Sequence, residues 1–119
     1  MPKTFNELCD EAKQNIQECT IEDVKDWMQE GRDFVLVDTR EDNEWEAGHI
    51  KGAVHIGKGV IERDIEKKIP ERDKEIILYC GGGFRSALAA ESLQKMGYSN
   101  VKSMDGGWRG WTQSGGETE

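Results

Sequence analysis

At 119 residues, with apolar side chains 35% and charged ones 34% of the chain, the sequence has the size of one ordinary domain, able to bury roughly two thirds of its extended surface without disulfide or metal staples. Sixteen basic against 24 acidic residues leave a formal charge of −8, the wrong sign for a general binder of nucleic acid or anionic membrane, whose affinity comes from Lys and Arg. No apolar run reaches the length of a membrane span or a signal-peptide core, and three cysteines without a CxxC spacing argue for reduced thiols in the cytoplasm rather than a disulfide framework.

Thr4-Phe5-Asn6-Glu7 has the pattern of a capping box, and Phe5, Leu8 and Ala12 follow it at helical spacing. Thr20 to Asp23 repeats the pattern ahead of Val24, Trp27 and Met28, with Gly31 as the stop. Phe34-Val35-Leu36-Val37 is a continuous apolar run, expected to be a strand covered on both faces. A short polar helix over Glu41–Glu46 leads to a weaker strand, Ala53–Ile56. Ile61, Ile65 and Ile69 predict a helix that ends at Pro70. Glu75–Cys80 is the second strong strand; it runs into Gly81-Gly82-Gly83 and then a helix from about Arg85 to Met96. Val101–Met104 is one more strand, followed by Asp105-Gly106-Gly107-Trp108 and a short helix holding Trp111. Strands alternating with helices predict a three-layer α/β fold around a parallel sheet. Three regions are expected: a helical extension over residues 1–15, the domain proper over 16–113, and a disordered Gly-rich acidic tail over 114–119.

In such a sheet, ligands sit beyond the carboxyl ends of the strands. Asp38 closes one strong strand and Cys80 the other. Three consecutive glycines after Cys80 allow the turn to curl with its N–H groups inward, forming a nest for an anion at the start of a helix. The anion nearest to hand is the cysteine's own thiolate, and with Arg85 close by this is an environment that lowers a thiol pKa. Cys9 and Cys19 lack such a setting and are expected to be small core residues. His49 and His55 have no third ligand patterned near them, so no metal site is expected. Trp108 and Trp111 are expected to pack rather than to stack on bases.

Two other anion-binding patterns compete. Gly81-x-Gly83-x-x-Ser86 falls short of a dinucleotide fingerprint at its third glycine, and the chain is short for two nucleotide-binding halves. A cysteine phosphatase needs Cys-x5-Arg, whereas here Arg85 follows Cys80 after four residues, a smaller cradle suited to one extra sulfur atom.

Asp38-Thr39-Arg40 with Glu44, Gly48-His49-Ile50-Lys51-Gly52-Ala53, Cys80 to Ser86, and Asp105-Gly106-Gly107-Trp108 stand in this order along the chain. In these four blocks the sequence resembles the single-domain rhodanese (sulfurtransferase) family, from about Ile16 to Trp111. The resemblance implies a rhodanese-like fold with a central parallel sheet of five strands flanked by helices. It also implies an active loop of six residues, Cys80 to Arg85, against seven in related phosphatases and arsenate reductases. Cys80 would be the nucleophile that carries a sulfane sulfur as a persulfide. The amides of Gly81, Gly82, Gly83, Phe84, Arg85 and Ser86 would cradle that sulfur, with the Arg85 charge and the Ser86 hydroxyl assisting. Asp38 and Arg40 would be supports that order the loop through ion pairs. The implied activity is that of a thiosulfate:cyanide-type sulfurtransferase working without metal or cofactor, on thiosulfate or a low-molecular-weight persulfide such as glutathione persulfide, with cyanide or thioredoxin-like thiols as acceptor. A monomer with no nucleic-acid or membrane partner is expected. The alternative is a catalytically idle rhodanese-like module that binds a protein. Arg85 is the only side-chain cation within the loop, so thiosulfate is expected to bind weakly and a persulfide donor to be preferred.

Overall fold

The structure is a computed structural model that describes residues 2–119. Both capping boxes form: Thr4 Oγ1 accepts from the Glu7 amide at 3.1 Å and Thr20 Oγ1 from the Asp23 amide at 3.0 Å. Each supplies an acceptor to a donor that the first helical turn leaves free. They open α1 (Phe5–Asn15) and α2 (Ile21–Gln29). Between these helices lies β1 (Gln17–Cys19), a strand that the apolar pattern does not announce because only Cys19 of its three residues is buried.

β2 (Val35–Asp38), α3 (Asp42–Ala47) and β3 (Val54–His55) follow, then a 3-10 turn over Lys58–Val60 that runs into α4 (Ile61–Lys68). β4 (Ile76–Tyr79), α5 (Phe84–Lys95), β5 (Val101–Met104) and α6 (Gly107–Gln113) complete the chain. The five strands form one parallel sheet in the order β1-β5-β4-β2-β3.

β4 shows why a continuous apolar run is needed at the centre. Its Ile76 and Leu78 pack with Ile61, Ile65, Ala89 and Leu93 on one face, while Ile77 and Tyr79 pack with Val24, Met104 and Trp111 on the other. All four are fully buried, and each such aliphatic side chain contributes roughly 1.5–3 kcal/mol. The sheet therefore carries α4 and α5 on one face and α2 and α6 on the other. α1 lies against α5, burying Cys9 and Ala12, and the Asn15 amide donates to Glu91 at 3.1 Å.

The strand order reverses direction between β2 and β4, whose register pairs Asp38 with Tyr79. Their carboxyl ends thus open on the crevice where an open α/β sheet places its ligands. Among the described residues, no helix is long and apolar enough to cross a membrane.

Residues 114–119 make backbone contacts with the domain. Thr118 pairs antiparallel with Ile50, and the Glu119 amide donates to the His49 carbonyl at 2.8 Å. The Trp111 indole N–H, on a side chain only 2% exposed, donates to the Glu117 carbonyl at 2.9 Å. A nearly buried donor needs an acceptor, and the tail backbone is the one within reach. Composition alone cannot register this, because the tail is tied down by its backbone rather than by apolar side chains. Deleting residues 117–119 should lower stability by about 1–3 kcal/mol, the cost of leaving such a donor unpaired. A urea midpoint unchanged by the deletion would show that the tail contributes nothing.

Candidate active site

Cys80 follows the last residue of β4, and the chain then turns through Gly81, Gly82 and Gly83 into α5. Gly83 has φ of +101°, a conformation that side-chain-bearing residues rarely adopt. That turn aims its amide back along the strand, and the Gly83 N–H donates to Cys80 Sγ at 3.1 Å. Ser86, in the first turn of α5, brings its hydroxyl to 3.5 Å from the same sulfur. A second hydroxyl, Ser103 Oγ from β5, sits 2.8 Å from Ser86 Oγ and fixes it in a buried chain of polar atoms.

Burial of Cys80, which is 1% exposed, opposes its ionisation. The Ser86 hydroxyl and the amides of Ser86, Gly82 and Gly83 outweigh that burial and bring the thiol below its ordinary pKa. The other two cysteines provide the contrast. Burial raises Cys19 to about 12 and also raises Cys9. All three thiols are buried and unpaired, and only Cys80 has donors turned towards it.

The loop is held from outside by α6. The Trp108 amide donates to the Cys80 carbonyl at 2.7 Å and the Arg109 amide to the Gly81 carbonyl at 3.0 Å. Gly107, with φ of +53°, permits this approach, since a Cβ there would overlap the Cys80 carbonyl oxygen. Asp38 and Arg40 form a pair buried to 0% and 3% exposure, with Nη2–Oδ2 at 2.8 Å. Arg40 also donates to the Gly48 carbonyl at 2.6 Å and lies 4.6 Å from the Trp108 ring. The Asp38–Arg40 pair thus lies one contact from the loop, through Trp108, whose amide bonds the Cys80 carbonyl. Beside it, Trp45 stacks on both His49 and His55, at 3.5 and 5.0 Å between ring centroids.

Arg85 faces a partner that its own loop does not contain. Its Nη1 and Nη2 donate to the two carboxylate oxygens of Glu44 from α3 at 2.8 and 3.3 Å. The bidentate guanidinium holds the Glu44 carboxyl down at about 2, so the pair stays charged across the physiological range. Since this pKa is depressed, the stability contributed by the pair is complete above the unfolded value of about 4.3 and is lost as the pH falls towards 2. Phe84 is exposed and leans on Phe5, ring centroids 6.4 Å apart, beneath the Lys13 ammonium at 4.7 Å. Its ring marks the rim of the loop.

A family model described as a rhodanese-like domain matches residues 20–114. The chain belongs to that family. This rhodanese-like domain is 38% identical over 79 residues to the thiosulfate sulfurtransferase GlpE of Pseudoalteromonas translucida, covering 66% of this chain and 73% of that one. It is 35% identical over 109 residues to a Mycobacterium tuberculosis protein named probable adenylyltransferase/sulfurtransferase MoeZ, covering 89% of this chain but spanning only 28% of that protein's length. Among solved structures, a Rhodopseudomonas palustris protein of unknown function, described as a possible tyrosine phosphatase, superposes with a TM-score of 0.86 at 34% identity, over 100% of this chain and 99% of that one.

Within the rhodanese-like domain, Cys80 to Ser86 form one turn at the carboxyl end of β4 and the head of α5. Glu44, Ser103 and Arg109 join it from α3, β5 and α6, and no local motif assigns them a role. The donor set on Sγ predicts that alkylation of Cys80 by iodoacetamide begins at a lower pH than for a free thiol, near 8.5. Ser86→Ala should move that profile upward, because burial would keep its effect while one of the opposing donors is gone. A profile for Ser86→Ala that overlies the unsubstituted one would show that the hydroxyl does not stabilise the thiolate.

Proposed function

We propose that this rhodanese-like domain is a sulfurtransferase in which Cys80 carries the sulfur as a persulfide. The observation behind this reading is the convergence of the Gly83 amide at 3.1 Å and the Ser86 hydroxyl at 3.5 Å on one buried sulfur at the head of α5. In the first half-reaction the Cys80 thiolate attacks the outer sulfur of a donor. A bond forms between Sγ and that sulfur, and the donor's own sulfur bond breaks. With thiosulfate the leaving group is sulfite, which departs with the electron pair and leaves Cys80–S–S⁻. In the second half an acceptor nucleophile, cyanide or a thiolate, attacks the terminal sulfur and releases the Cys80 thiolate, with thiocyanate or a new persulfide as product. Proton transfer is not required in either half, which suits a site with no general base beside the sulfur. The loop amides would hold the terminal anionic sulfur as an oxyanion hole holds oxygen.

A phosphatase reading meets the short Cys80–Arg85 spacing and the direction of Arg85. Wrapping a tetrahedral phosphoryl group requires the guanidinium inside the loop, and here it is engaged by Glu44 at 2.8 Å. Asp38 and Arg40 are assigned a structural role, bracing the loop through Trp108.

After incubation with thiosulfate under non-reducing conditions, intact-mass analysis should find the chain heavier by one sulfur atom, located on the Cys80 peptide and removed by cyanide. Cys80→Ser should abolish both the adduct and turnover, while Cys9→Ser and Cys19→Ser retain most activity. Sequential instead of ping-pong kinetics, or equal losses in all three variants, would defeat the persulfide route. Release of phosphate from p-nitrophenyl phosphate at a rate exceeding sulfur transfer would favour the phosphatase reading.

A further inference from the structure

Arg85 is the cation that the sequence offers to an incoming donor, yet its charge is already matched by Glu44. A second guanidinium overlies the same loop. Arg109 Nη1 lies 3.6 Å from the point where a Cβ on Gly82 would stand, so the guanidinium sits over the place that a side chain at Gly82 would fill. Its own amide is bonded to the Gly81 carbonyl at 3.0 Å, which anchors the stem of the side chain to the loop. Among the described residues, no carboxylate lies within ion-pair distance of Arg109, and its side chain is exposed. Asp105, on the same rim, reaches Gly83 and is paired with Lys13 at 3.9 Å.

A free guanidinium over the mouth of a loop matters in a chain of charge −8, whose long-range field repels anions. Resting on the sulfurtransferase reading, we propose that Arg109 binds the anionic oxygen group of the sulfur donor's leaving fragment and so selects donors that carry one. The planar fork of a guanidinium fits a sulfonate or a carboxylate through two parallel N–H donors. In the sulfur-transfer step Arg109 neither gains nor loses a proton. It holds the leaving group, the sulfite of thiosulfate or the thiolate fragment of an organic persulfide bearing a carboxylate, while the electron pair moves onto it. This reverses the expectation drawn from the loop alone that thiosulfate finds little local attraction.

The test compares Arg109→Gln with the unsubstituted protein on three donors: thiosulfate, N-acetylcysteine persulfide, and the methyl ester of that persulfide, which lacks the carboxylate. Arg109→Gln should lower kcat/KM roughly tenfold or more with the first two, the range for losing a hydrogen bond to a charged group, mostly through KM. The ester should be unaffected, and Arg109→Lys should recover part of the loss. Loss with thiosulfate alone would confine the site to sulfonates. Equal loss with all three donors, or loss with none, would overturn the proposal. Isothermal titration of thiosulfate into Cys80→Ser, with and without Arg109→Gln, separates this inference from the reading beneath it. Weaker binding in the double variant would uphold Arg109 even if the unsubstituted protein formed no persulfide, and identical binding would reject it even if sulfur transfer were confirmed.

Discussion

The turn from Cys80 to Gly83 has a single side chain, the Cys80 thiol that accepts from the Gly83 amide. It is kept in place by backbone contact with α6, where the amides of Trp108 and Arg109 take up the carbonyls of Cys80 and Gly81. The turn's carbonyls thereby face α6, which leaves the Gly83 amide free to face the sulfur. The backbones approach this closely because Gly107 has no β-carbon, which would overlap the Cys80 carbonyl oxygen. The direction of the Gly83 amide and the reach of Arg109 over Gly82 both depend on that contact.

The site stabilises charge chiefly with dipoles. The loop's own formal charge, Arg85, is matched by Glu44 as a pair. What bears on Cys80 is a set of amides and a hydroxyl fixed by secondary structure, in a buried position that ions of the solvent do not enter. In the proposed sulfur transfer, such groups would need no reorganisation as charge moves from one sulfur to the next. The buried Asp38–Arg40 pair works differently. It contributes no charge to the loop, and its value lies in fixing the Trp108 ring and the Gly48 carbonyl, with each ionised partner satisfied by the other.

The strands most legible in the sequence were those whose burial is written in their own residues. β2 and β4 are covered on both faces and read as unbroken apolar runs. β1 was invisible, because an edge strand of three residues with two of them exposed has no pattern to detect. The tail's contacts are equally absent from its own composition, since its hydrogen bonds are to Trp111 and the backbone of His49 and Lys51. The same division runs through the site. Cys80 to Ser86 are contiguous, and their chemistry follows from their order. Glu44, Ser103 and Arg109 reach the loop only because the sheet brings α3, β5 and α6 to its carboxyl edge. Glu44 stands within a family block without its role being apparent there, and Arg109 in a segment where packing was the only expectation.

The two borders of the sheet are β1, with three residues, and β3, with two. The central strands are the most apolar part of the chain and would be the most hazardous if left unpaired, since a long open edge recruits strands from other molecules. Here the free hydrogen-bonding groups are confined to two stubs, shorter than the five or six residues of a typical strand. Neither is long enough to template an added strand of ordinary length, so the architecture that concentrates donors around one sulfur also guards the protein against edge-to-edge aggregation.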